Sequence, residues 1–218
     1  ASQVYELEHS GTENQIKVMS ITEYRKEFSK KVHDVAGHCD ERGNIYIKDT
    51  SPEMVKHVSV HETLYRCADR TWSKDENGNK KTTCGLREST WYTDGTRITK
   101  NKAANKGITE VYTLRELRRQ GEEEPLGSDI VYSEARIWME RIEVLVGKEI
   151  MAEAYFGKGK KEFKDAFQRL NNGNDLAWEI FSKDLDVINS NAVFSVKEYA
   201  VKRLEDIYCT MLQNQQEE

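Results

Sequence analysis

The sequence contains no Cys-x-x-Cys pair, so its four cysteines, Cys39, Cys67, Cys84 and Cys209, do not compose a zinc knuckle. Buried thiols are the simpler reading, and pairing of Cys67 with Cys84 across a polar loop is open for an exported chain. No apolar run approaches the ~20 residues that a membrane-spanning helix requires. No secretory leader is visible. The opening ASQVYELEHSGTENQ also suits a chain relieved of a leader or anchor, so the compartment stays open between cytoplasmic and exported, with a soluble protein expected in either. Gly-x-Ser-x-Gly is missing, which excludes a serine nucleophile elbow. A phosphate loop is missing too, because GKGKKE at 157–162 lacks both the spacing and the strand–helix setting. Internal repeats and low-complexity segments are absent. So is any basic excess: 33 Lys and Arg face 38 Asp and Glu, a net charge of −5, and no nucleic-acid partner is expected.

What is present suits a globular chain of 218 residues that buries its core without disulfide help. SITEYRKEFSKKVHDVAG (20–37) repeats Ile21, Tyr24, Phe28 and Val32 at helical spacing, with Gly37 as its C-cap. GNIYIKD (43–49) alternates as a strand. SPEMVKHVSVHETLYRCAD (51–69) opens with Ser51 as N-cap and Pro52 at the first helical position. A polar loop is expected over 71–81, strands over 82–90 and 96–100 about a turn at Asp94–Gly95, and a helix over 103–120. The stretch 121–129 combines charge, Pro and Gly as a linker. Beyond it the chain reads as helical, including 133–147 and 197–212, with Trp138 and Trp178 in the core. The expectation is an α+β fold, mostly helical. A motif-bearing α/β part spans 1–125, and a helical part spans 126–218.

The chemistry concentrates in HVSVHETLYR (57–66) and NKGITE (105–110). In His-Glu-x-x-His, helical periodicity aims two imidazoles at one Zn²⁺, and the intervening Glu serves as base on the metal-bound water. His61 and Glu62 match that pattern, while Tyr65 occupies the second histidine position. NKGITE resembles the Asn-Glu-Gly-x-x-Glu segment of the gluzincin metallopeptidases. The preceding strand, the hairpin between the two helices and the helical remainder also look like that family.

The resemblance implies a zincin-like fold with zinc in active relatives, His61 as first ligand, Glu62 as base and Glu110 as a second-shell acid orienting a histidine. It also implies that two ligand positions are lost, to Tyr65 and to Lys106. An ammonium has no lone pair for a metal, and a phenol ionises only near ~10. The expected protein is therefore a catalytically defective relative, a pseudoenzyme with a vestigial Glu62, a residual ligand in His61 and no cofactor as written. It would retain a cleft for a peptide or protein segment, held by β-augmentation with 82–90 as the candidate edge.

His57, four residues before His61, is most simply a helix-edge side chain hydrogen-bonded to backbone or solvent. The alternative is a shifted ligand set of His57, His61 and Glu110 in a working zinc hydrolase. A further alternative is a non-enzymatic helical interaction domain.

Overall fold

The computed structural model describes residues 16–30, 35–40, 43–122 and 133–216. Among these residues it contains eight helices and two small sheets, the α+β, mostly helical fold that the sequence predicts. The chain divides into two compact units. One takes the described residues of Ala1–Cys67 and Thr109–Val131, and the other those of Ala68–Ile108 and Tyr132–Glu218. No helix among the described residues is long and apolar enough to cross a membrane.

The first unit is built on a three-stranded sheet of β1 (Ile16–Met19), β3 (Ile45–Lys48) and β2 (Gly37–Cys39), in that order. β1 runs parallel to β3, and β2 antiparallel. Strand alternation puts Ile45 and Ile47 on one face, where they bury completely against Val58 of α2 (Pro52–Cys67). Gly37 permits that approach, since a Cβ there would lie 2.6 Å from Val58 Cγ1. On the other face, His38 and Tyr46 stack at 5.4 Å between centroids, and Tyr24 and Phe28 pack edge-on against His38. Tyr24 belongs to α1 (Ile21–Glu27), which starts at a capping box. The Glu23 N–H donates to Ser20 Oγ, and the Ser20 N–H donates to Glu23 Oε2. α2 starts as expected: the Met54 N–H donates to Ser51 Oγ at 3.2 Å, and Pro52 leads the helix.

The helix expected over 20–37 is therefore much shorter. Phe28 turns to extended backbone (φ −110°, ψ 157°), which lets its ring reach His38 and Tyr46. Gly37 begins a strand instead of capping a helix. Residues 31–34 of that segment, and most of the expected linker at 121–129, lie outside the described residues.

The second unit carries a meander, β4 (Arg70–Lys74), β5 (Lys80–Cys84), β6 (Arg87–Trp91) and β7 (Arg97–Lys100), antiparallel throughout. The polar loop expected over 71–81 is thus mostly strand. Its turn is organised by Asp75, whose Oδ1 accepts from the backbone N–H of Asn77 and Asn79, and Thr71 and Thr83 hydroxyls bond across the strands at 2.8 Å. The segment 82–90 is correspondingly two central strands and not an edge. The Asp94–Gly95 turn forms as read, with Gly95 at φ +86°.

α3 (Lys102–Arg119) follows, and the division between the units falls within it. α4 (Ser133–Val146), α5 (Lys148–Phe156), α6 (Lys160–Leu170), α7 (Ala177–Ile188) and α8 (Phe194–Gln216) complete the unit. Their core is aromatic. Trp178 meets Phe163 at 4.8 Å and Phe167 at 5.4 Å, and Trp138 meets Phe181 at 6.3 Å. Ile137 and Tyr199 are exposed, and the Arg203 guanidinium covers the Tyr199 ring.

Asn105 locks the meander to the start of α3. Its buried Oδ1 accepts from the N–H of Leu86 at 2.8 Å and of Arg87 at 3.2 Å, and the Asn101 amide donates to Leu86 O. Gly107 is equally constrained, since a Cβ there would sit 2.5 Å from Ala135 O. Asn105→Ala strands the buried Leu86 N–H. It should cost about 1–3 kcal/mol in urea unfolding, and an unchanged midpoint would show that the amide is dispensable.

Candidate metal centre

Residues four apart on α2 share a face, and His57 and His61 occupy that relation with ring centroids 6.4 Å apart. Both face Glu110, which α3 contributes to the same unit. His57 Nε2 lies 2.9 Å from Glu110 Oε1, and His61 Nδ1 lies 2.9 Å from Oε2. The carboxylate is almost completely buried, at 2% exposure, as is His57 at 7%. Sequence reasoning set His57 at the helix edge. The structure instead buries it and completes the shifted trio, because Glu110 of α3 meets the face of α2 that periodicity alone leaves unassigned.

Burial by itself would push the Glu110 carboxyl up. The two flanking imidazoles, His57 and His61, outweigh it and hold the group down at about 2. The His61 contact is a well-formed hydrogen bond. The His57 contact is close enough for the charges to couple, yet its N–H does not aim at the oxygen. Among the described residues Glu110 Oε1 thus lacks a directed bond, and His57 Nδ1 is buried without a hydrogen-bond partner. Two imidazole nitrogens and a carboxylate, with ligand atoms all within 4.8 Å of one another, form a group that can hold a metal ion. Nitrogen and oxygen donors in that number suit zinc, which in catalytic sites takes three protein ligands and leaves a position open.

Glu62, buried at 6% exposure, is outside the trio. Its charge reaches Tyr24 and His38, whose hydroxyl and Nδ1 are hydrogen-bonded to each other. Burial, reinforced by Glu62, pushes the Tyr24 phenol up to about 12, and burial holds the His38 imidazole below its ordinary value against the pull of Glu62 and Asp40. Tyr65 sits one turn beyond His61 and Lys106 one turn before Glu110, both half-buried. The Lys106 ammonium has no lone pair to offer a metal, and Tyr65 is outside the trio. Cys67 is exposed, Cys84 is buried, and they are thiols rather than a disulfide.

No family model, curated protein or solved structure matches the chain. The reading of the site therefore rests on its own residues.

Tyr24 gives a pH signature. Its proton is held more tightly in the fold than in the unfolded chain, so its contribution to stability is complete below pH 10.0 and disappears as pH rises through about 12. Denaturant midpoints across that window should fall for the parent chain and fall less steeply for Tyr24→Phe. Parallel pH profiles would contradict this assignment.

Proposed function

We propose that this chain is a metallopeptidase-like protein that has lost hydrolysis and binds a divalent transition metal, zinc by preference, one helical turn from the place the gluzincin pattern assigns. The carrying observation is the buried Glu110 carboxylate flanked at 2.9 Å by one nitrogen from each of His57 and His61.

A zinc ion bound by His57, His61 and Glu110 would supply a Lewis acid and a cross-link between α2 and α3. The chain's own groups favour binding over cutting. In His-Glu-x-x-His the base directly follows the first ligand, and in the shifted register that position is Val58. Glu62 follows the second ligand instead, outside the trio. With Tyr65 and Lys106 in the remaining ligand positions, the site keeps a metal's donors and lacks the base that hydrolysis requires.

Calorimetric titration with Zn²⁺ separates the shifted site from a residue of the ordinary one. The parent should bind one equivalent. His57→Ala and Glu110→Gln should each weaken binding by about tenfold or more. Tyr65→His should leave the dependence on His57 in place, and zinc-saturated protein should not cleave unfolded casein. Equal binding by the parent and His57→Ala, or measurable cleavage, would overturn the reading.

A further inference from the structure

The four-stranded meander has two unlike faces. Thr83, Glu88 and Lys100 lie on one face and are joined to the helices of the same unit. Lys160 Nζ donates to Thr83 Oγ1, Lys164 pairs with Glu88, and Lys100 pairs with Glu179. The cross-strand register puts Arg70, Trp72 and Lys74 of β4 on the opposite face. They share it with Lys80, Arg87, Trp91 and Arg97 of the neighbouring strands. Five cations and no acid occupy the strand positions of this face, on a chain whose net charge is −5. Trp72 is 57% exposed, and Lys74 and Lys80 are exposed beside it.

β4 is also an edge, with no strand on its outer side among the described residues. The phase of its ladder follows from its two ends. The Asp75 N–H donates to Asn79 O, and the Gly85 N–H donates to Asp69 O. In an antiparallel pair, alternate residues bond inward, so Thr71 and Ser73 serve β5 while the backbone groups of Trp72 and Lys74 point outward. Open backbone polar groups and an exposed indole therefore coincide on Trp72 and Lys74, with the exposed Lys80 on the neighbouring strand.

We infer that the β4 edge binds an extended acidic polypeptide segment, which adds as a fifth strand, packs a side chain on Trp72 and sets its carboxylates against Lys74 and Lys80. Charge complementarity selects the acidic partner. A single-stranded nucleic acid meets the same charges but needs free aromatic faces for its bases. Trp91 offers little there, because Arg97 lies over its ring at 4.4 Å and Lys80 at 5.8 Å. The inference does not depend on the metal: β4–β7 and the His57, His61, Glu110 trio belong to different units, and separate variants test each.

The test is fluorescence anisotropy with a labelled alternating Glu–Val peptide, its Lys–Val counterpart and oligo-dT, combined with amide hydrogen exchange of the complex. The acidic peptide should bind, and added salt should weaken it. Trp72→Ala and Lys74→Glu should each reduce binding by about tenfold. Lys74→Pro should abolish it while leaving the far-UV spectrum and thermal midpoint near those of the parent, because that N–H serves no ladder bond. In the complex, the Trp72 and Lys74 amides should exchange more slowly. Failure of the acidic peptide to bind at low salt would overturn the proposal, as would binding indifferent to these variants, binding without protection of those two amides, or preferential binding of oligo-dT.

Discussion

A buried carboxylate must be answered by its surroundings, and in the first unit Glu110 sets that requirement. At 2% exposure and with its proton lost down to about pH 2, it holds a full negative charge where water does not reach. Removing one partner from such a pair typically costs about 3–5 kcal/mol. The two imidazoles that answer it come from one helix, four residues apart, so the orientation of α2 is the constraint behind the site. Local features fix that orientation. Ser51 and Pro52 define where α2 starts, Val58 seats it on Ile45 and Ile47, and Gly37 allows the sheet close enough for the contact.

In the proposed function, the same placement separates binding from hydrolysis. On a helix, neighbouring residues point about 100° apart. Glu62 thus cannot share the direction of His61, and its charge is felt by Tyr24 and His38. A metal held by His57 and His61 would have valine at the position where a peptidase keeps its base. Donors can survive a one-turn displacement because helical spacing repeats them. A base cannot, because it depends on one particular residue.

Much of this was legible in the residues. Ser51 and Pro52 announced α2, Asp94–Gly95 announced a turn, and the pairing of His61 with Glu110 followed from two short motifs. His57 was not legible, because periodicity along α2 does not say which of its faces Glu110 of α3 will meet. The early end of α1 was hidden for a similar reason. Helical spacing of Tyr24, Phe28 and Val32 says nothing of the His38 and Tyr46 rings that draw Phe28 into extended backbone. Asp75 and Asn79 carried readable turn chemistry inside a stretch whose polarity suggested loop. Asn105 drew attention as part of a metal motif, yet its observed work is to hold the Leu86–Arg87 turn.

Anomalous diffraction at the zinc absorption edge, from crystals of the parent chain grown with zinc, tests the central claim most directly. The account predicts a single strong peak within coordination distance of His57 Nε2, His61 Nδ1 and the Glu110 carboxylate. A peak centred instead between His61 and Tyr65 without His57, or none at the trio in zinc-saturated crystals, would contradict it.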